Sequence, residues 1–456
     1  MLRSCPLLLL IGLQFASPSL FAQFTTAPLQ VSADAQATGA QTAGAKQAAG
    51  SSVTLTLADA VARARGNSPQ FQAALVQLGI AREDRVQARA ALLPNVDYNN
   101  GFIYTQGNGT ASGRFIANNG VHEYISQGAV AQNLGLAQYA DYRRTAAAQA
   151  LARAKAEVAA RGLIVTVVQA YYGVQSAEAK LASTRAAADE AQRFLQITRD
   201  LEQGGEVAHS DVIKAQIQAQ GEQRSLQDVR LAAEQARLNL AVLVFPNFFQ
   251  DFTLADALST APALPPMQDV QQLAEKNNPE LSAALAAVEV ARHEVQVAEA
   301  AHIPTLVLDY FYGIDANRFA VNTDGIRNLG YSATATLNIP IWHWGAIESK
   351  VRQAELQQRQ AKIELSAAQR QAVADLKSFY AEAETARNQL ENLRSSADLA
   401  AESLRLTNLR YRAGESTALE VVDAQNTLTA ARISYSDGLL RYHVALANLQ
   451  TLTGSF

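Results

Sequence analysis

The chain has 456 residues, 88 of them alanine, with a formal net charge of -4, 18% charged residues, 7% aromatic residues and one cysteine. Alanine is the strongest helix former and a poor core filler, so this composition points to long, closely packed helices rather than a bulky globular core. It excludes a disordered chain, a disulfide-stapled domain and a basic nucleic-acid binder. A polytopic helical membrane protein is excluded too, because no stretch beyond residue 22 approaches about 18 uninterrupted apolar residues.

Residues 1–22 read as a secretory signal peptide, with Arg3 in the charged region, an apolar run at 7–11 and a small residue, Ala22, at the cleavage end. Cys5 precedes that apolar run, which leaves the mature chain without cysteine. Residues 23–52, rich in Ala, Gln, Thr and Gly, carry no period and read as a flexible leader.

From there the chain is one unit written twice, residues 53–260 and then 261–456. Asn67-Ser68-Pro69 returns as Asn277-Asn278-Pro279, and Pro94 returns as Pro304, at an offset of 210. Gly205-Glu206 returns as Gly414-Glu415, and Ala215-Gln216 as Ala424-Gln425, at an offset of 209. Such a period is far too long for a solenoid repeat. Each half opens with a helix starting at Pro69 or Pro279, where proline suits the first turn, and stopping by Pro94 or Pro304. Two alternating segments follow, then a very long helix, a glycine-centred break and a second helix. No proline lies between Pro94 and Pro246, or after Pro340. A continuous helix from Leu136 to about Gln203 would be roughly 100 Å long, and residues 346–413 predict its twin. There, Ala361, Leu365, Ala368, Ala372, Leu376 and Phe379 recur at steps of three and four on one helix face.

The alternating segments at 96–104, 306–314 and 331–341 have an apolar and a polar face; 124–132 alternates less cleanly. Val96, Tyr98, Phe102 and Tyr104 share the apolar face of the first, and Leu306, Leu308, Tyr310, Tyr312 and Ile314 that of the second. Strands of about 10 residues suit a tilted membrane crossing. Half-buried strands of a soluble sandwich would look alike locally, but aromatics crowd the apolar faces and the flanking helices are too long to cap a sandwich. Four strands cannot close a membrane barrel, and an open edge cannot sit in lipid. Three copies would supply twelve strands and an aqueous bore, with loops 106–121 and 315–329 as exposed hairpin ends. Trp342 and Trp344, just past the fourth strand, read as interfacial anchors in outer-membrane lipid, with core packing as the alternative.

Four motifs carry a family likeness. They are Leu55-Thr56-Leu57-Ala58-Asp59-Ala60-Val61 before Asn67-Ser68-Pro69; Gly204-Gly205-Glu206 through Asp211-Val212; Asn338-Ile339-Pro340-Ile341-Trp342-His343-Trp344-Gly345; and Arg410-Tyr411-Arg412-Ala413-Gly414-Glu415 through Val421-Val422-Asp423-Ala424-Gln425. In that order, over residues 53–453, the chain resembles TolC-family outer-membrane efflux proteins. The resemblance implies a mostly α fold with a transmembrane β part: a homotrimer whose 12-stranded outer-membrane barrel continues as a 12-helix periplasmic barrel. It also implies a collar built from the leader, residues 246–268 and the C-terminal end. The implied function is a passive exit duct of a tripartite efflux or type I secretion system, meeting a periplasmic adaptor and an inner-membrane transporter.

The resemblance also assigns roles. The turns at Gly205 and Gly414 become the adaptor-docking tip, and a structural cap is the bland reading of both. Asp423 and Glu420 become pore-closing acids, repeated three times around one axis; like charges at a constriction favour cations. Thr417-x-x-Glu420 is equally a capping box. Tyr411 and Asp211 match two members of the family's closing contacts, whereas Ser416 stands where an arginine is often found.

Nothing suggests an enzyme or a cofactor. The six histidines, at 122, 209, 293, 302, 343 and 443, show no metal spacing, His209 beside Asp211 reading as a solvated turn residue. No glycine-rich phosphate loop follows a strand. The rival from another class is a periplasmic adaptor or coiled-coil scaffold with no membrane pore. Adaptors share long hairpins but lack duplicated strand pairs inserted before them.

Overall fold

The computed structural model describes residues 53–104, 122–247, 249–255, 262–323 and 325–454. The expected signal peptide, the leader and the loop at 106–121 lie outside these residues.

The elements of each half follow one order. β1 (Val53–Leu55) leads into α1 (Leu57–Asn67), whose N-cap Thr56 accepts from the Asp59 N–H. Ser68 caps α2 (Pro69–Ala90) in the same way at Phe71. Next come β2 (Asn95–Tyr104), β3 (His122–Leu134), α3 (Leu136–Gln203) and α4 (His209–Val244). β4 (Phe252–Leu254) pairs in parallel with β1 and ties residues near 250 to the start of the described chain. The second half repeats the pattern with α5 (Met267–Asn277) and α6 (Pro279–Ala300), capped by Asn278 accepting from Glu280 and Leu281. β5 (Thr305–Ala316), a two-residue ribbon of β6 (Asn322–Thr323) and β7 (Ile326–Arg327), and β8 (Leu329–Asn338) precede α7 (Ala346–Arg412) and α8 (Ala418–Thr453). Both long helices lack proline and have 68 and 67 residues, so each spans roughly 100 Å.

The four long strands form one antiparallel sheet in the order β2-β3-β5-β8. The halves therefore join through β3 and β5, while β2 and β8 are edges. Residues directly opposite share a face, and the register aligns Tyr98, Gly128, Tyr312 and Tyr331 in one row and Val96, Val130, Tyr310 and Ala333 in the next. The alternate rows carry Asp97, Ala129, Phe311 and Ser332, and Asn95, Ala131, Asp309 and Thr334. One face is thus aliphatic and aromatic, the other mostly polar and acidic. The weak alternation of β3 has a physical reason: Gly128 lies between Tyr98 and Tyr312 and leaves space for two flanking rings. The last strand ends at Asn338 rather than at the expected 341, because Pro340 has no N–H to give the ladder.

Gly313 on β5 is required by the pairing itself. A Cβ there would lie 2.2 Å from the Ser126 carbonyl oxygen and 2.4 Å from Gln127 Cα, both backbone atoms of β3. Gly313→Ala is expected to cost about 2 kcal/mol or more by overpacking, seen as a lower temperature for loss of the folded band on unboiled gels.

The helices form a wall. In its strand-proximal part α6 packs on both α3 and α7, and α2 lies on the other side of α3. Farther along, α8 packs on α3 and α7, with α4 again beyond α3. Alanine makes these approaches close: Ala383 and Ala386 are buried on α7, and Gly438 on α8 sits against Leu393 and Leu390. The expected face of α7 is the packed one, with Ala361 and Leu376 buried and Leu365, Ala368, Ala372 and Phe379 half-buried. A core of Leu55, Val167, Tyr171, Leu240 and Val244 holds the β1–β4 level, where the Tyr171 hydroxyl donates to the Leu55 carbonyl at 3.0 Å. The two outermost helices keep apolar stripes exposed: Ile217, Leu231 and Leu238 on α4, and Leu356, Ile363, Leu399 and Leu406 on α7. The α4 trio is spaced by fourteen and seven, and α7 carries two pairs each seven apart, the spacing of a coiled-coil seam.

Candidate functional site at the hairpin tips

Both hairpins turn through the same motif. After α3, Gly205 has φ 78°, its N–H bonds the Glu202 carbonyl, and the Glu206 N–H bonds the Leu201 carbonyl. After α7, Gly414 has φ 78°, with its N–H on the Tyr411 carbonyl and the Glu415 N–H on the Arg410 carbonyl. This is the Schellman stop, and it demands a left-handed residue. No atom obstructs a Cβ at either position. Gly205→Ala and Gly414→Ala should therefore each cost only the backbone term, about 1 kcal/mol, read as faster amide exchange confined to the tips.

The return helices differ at their starts. Thr417 caps α8 in a complete capping box: its hydroxyl accepts from the Glu420 N–H, and Glu420 Oε1 accepts from the Thr417 N–H at 3.3 Å. Ser416 donates to Glu420 Oε2 at 2.9 Å, and the Arg410 guanidinium lies 3.8 Å from the same oxygen. The Ser416 hydroxyl, then the Thr417 backbone and hydroxyl, and last Arg410 hold the Glu420 carboxyl below the usual carboxylate range. A depressed carboxyl stabilises the folded end above its ordinary range and stops doing so as pH falls through the lowered value. The α8 start should thus fray as pH falls below the ordinary carboxylate range, seen as faster amide exchange at 418–421. Ala208 offers α4 no such cap; across that turn His209 Nδ1 sits 2.6 Å from Glu202 Oε1.

Asp423 is exposed one turn beyond Glu420, and among the described residues its carboxylate has no hydrogen-bond or ion-pair partner. Three residues are 300° of helix, so the two acids sit about 60° apart on one side of α8. Asp211 holds Lys214 at 3.2 Å. Tyr411 is 4% exposed, stacks edge-on against Phe194 and points its hydroxyl to Thr198 Oγ1 at 3.4 Å. Burial raises its phenol above the ordinary range, and the nearby Asp211 charge adds to that. Tyr411 and Asp211 are therefore close enough to interact, but the hydroxyl bonds to Thr198 instead. Around them Leu195, Val212, Ala215, Leu404 and Val421 knit α3, α4, α7 and α8 into one tip core.

Known proteins resemble this chain in sequence and fold. The family model described as "Outer membrane efflux protein" matches residues 60–244 and again residues 270–455. The chain belongs to the outer membrane efflux protein family. It is 26% identical over 415 residues to the outer membrane protein TolC of Vibrio cholerae, covering 88% of this chain and 90% of that one. It is 26% identical over 410 residues to the alkaline protease secretion protein AprF of Pseudomonas aeruginosa, covering 88% and 84%. The fold matches that of the Campylobacter jejuni CmeC outer membrane channel with a TM-score of 0.78 at 17% identity, covering 87% of this chain and 85% of that one. As a member of this family the chain is an outer-membrane exit duct extending into the periplasm.

Within this efflux protein, Trp342 and Trp344 follow β8 on the surface, 70% and 87% exposed, with ring centroids 5.7 Å apart. Ile339 and Ile341 are exposed beside them. Two tip residues escaped the sequence reading. Arg410 was visible only as the start of a motif, although its six-residue separation from Ser416 hints at a substitute cation. Thr198, the partner of Tyr411, lies 213 residues away in the chain and left no local sign. Among the described residues no group of histidine, cysteine and carboxylate side chains is arranged to hold a metal ion.

Proposed function

We propose that three copies of this chain close into one duct, a twelve-stranded barrel in the outer membrane continued by a twelve-helix barrel in the periplasm, with each copy contributing one duplicated unit. The observation that carries this is the set of unmet edges. Among the described residues β2 and β8 have no outer partner, and α4 and α7, at opposite ends of the helical wall, both expose apolar residues at heptad spacings. A threefold ring satisfies both at once, pairing β8 with the next β2 and α7 with the next α4. The aromatic sheet face then meets lipid and the acidic face lines the bore, with Trp342 and Trp344 at the membrane rim.

The tips form the periplasmic end, where Gly205 and Gly414 present the turns that an adaptor meets and an inner-membrane transporter supplies the energy. Asp423 is the pore-facing acid of the gate. Glu420 stands beside it with its charge already engaged, and Asp211 and Tyr411 brace the neighbouring hairpin. Arg410 supplies the cation that Ser416 lacks. Conductance of purified protein in planar bilayers tests the duct: a soluble periplasmic monomer with no channel activity would instead support the scaffold reading.

A further inference from the structure

At the β1–β4 level the two halves repeat each other's contacts, and two pairs of hydrogen bonds fix the correspondence. Asn67 Nδ2 donates to the Val244 carbonyl at 2.7 Å, and Asn277 Nδ2 to the Thr453 carbonyl at 3.3 Å. Tyr171 donates to the Leu55 carbonyl at 3.0 Å, and Tyr380 to the Pro265 carbonyl at 3.3 Å. Here α1 matches α5 at the offset of 210, while α3 and α4 match α7 and α8 at the offset of 209.

Within the chain, α8 covers α3 at this level. Ala447 seals Ile164 and Val168, which are 3% and 2% exposed, with Leu57 and Val61 packed alongside. The Arg161 guanidinium reaches the end of α8, donating to the Thr451 carbonyl at 3.1 Å and to the Asn277 carbonyl at 3.4 Å. The same positions of the second half are Val373, Lys377 and Arg370 on α7, with Met267 and Gln271 on α5. There no helix of the described chain lies over them. Val373 is 55% exposed, and with Met267, Gln271 and Lys377 it lines a hollow of about 220 Å³. Arg370 is exposed and, among the described residues, makes no hydrogen bond or ion pair. The counterparts of Ala447 and Thr451 are Leu238 and Val242 on α4, both exposed. The Val242 carbonyl is unmet within its own helix, because Pro246, four residues on, has no N–H.

We propose that this hollow and Arg370 lock the end of α4 of the next copy, Leu238 entering the hollow and Arg370 donating to the Val242 and Asn67 carbonyls. The proposal rests on the duct reading above and sets the register of its seam. The seam between copies then repeats the seam within a copy, with leucine in place of alanine. Room for the larger side chain is present: a cavity of about 150 Å³ accepts a benzene ring, so this one accommodates a leucine. Lys377 stands where Val168 does, laying its stem along the leucine and keeping its ammonium in water.

The test uses the full-length protein in its outer membrane, where the mature chain carries no native cysteine. Leu238→Cys combined with Val373→Cys, treated with a short bis-maleimide, should give covalent trimers on boiled gels. Leu231→Cys with Val373→Cys, one heptad or about 10 Å out of register, should stay monomeric. Arg370→Ala should fold normally, because the side chain is exposed in the single chain, and lose the heat-resistant trimer band at a temperature roughly 5 °C lower. An intact trimer that links the slipped pair, or neither pair, would overturn the lock and leave the duct standing. Unchanged heat resistance in Arg370→Ala would also overturn it. If the wild-type chain forms no trimer in the membrane, the duct reading fails and the lock with it.

Discussion

Asp423→Asn is expected to weaken divalent-cation block of the channel, while Glu420→Gln should leave it nearly unchanged. The two acids are one helical turn apart on the same side of α8, so position alone would give them equal weight. Their surroundings differ. Glu420 spends its oxygens on the Thr417 N–H, the Thr417 and Ser416 hydroxyls and the nearby Arg410. Among the described residues Asp423 keeps both oxygens free of side-chain partners. Around a threefold axis, three free carboxylates bind a divalent ion; three engaged ones do so poorly, because each must first give up its own donors. Losing the Asp423 ring should raise the half-blocking concentration roughly tenfold or more, about 1.4 kcal/mol, a small part of what three charges supply at close range. Single-channel recording with added divalent salt decides it. Equal loss of block in both variants would return Glu420 to the gate and leave the capping box as a secondary role.

Leu231→Glu with Leu238→Glu on α4 is expected to yield a folded chain that no longer assembles. In the single chain these side chains are 56% and 47% exposed and belong to no core cluster, so helix content by circular dichroism should not change. Against α7 of a neighbouring copy each would bury its remaining exposed half, worth about 1 kcal/mol per leucine. In the proposed trimer that loss would recur at three interfaces, and the new carboxylates would add a desolvation cost. The readout is the heat-resistant trimer on unboiled gels: it should disappear, with the chain running as a monomer. A trimer that survives both changes would move the subunit contact away from α4. The free sheet edges would then have to carry assembly alone.

Much of the fold was legible in the residues because helices and strands write their periods locally. Pro69, Pro279, Gly205 and Gly414 mark where helices begin and end, since proline lacks a donor and glycine alone enters the left-handed stop cheaply. The alternation of Tyr98, Phe102, Tyr310 and Tyr312 marks one apolar face, because successive strand residues point to opposite sides. The likeness of the two halves follows directly from comparing positions. The site was legible only as a set of residue types. That Tyr411 turns inward to Thr198, 213 residues away, is a fact about neighbours far apart in the chain.

The sequence by itself determined the secondary elements, their order and the apolar face of each, since these depend on residues within a few positions of one another. Only the tertiary structure decided that β3 pairs with β5, that Pro340 cuts β8 short at the sheet edge, and that one of two adjacent acids is left free. Periodicity specifies which side of an element seeks cover but not what covers it, and a carboxylate's availability depends on its donors in three dimensions.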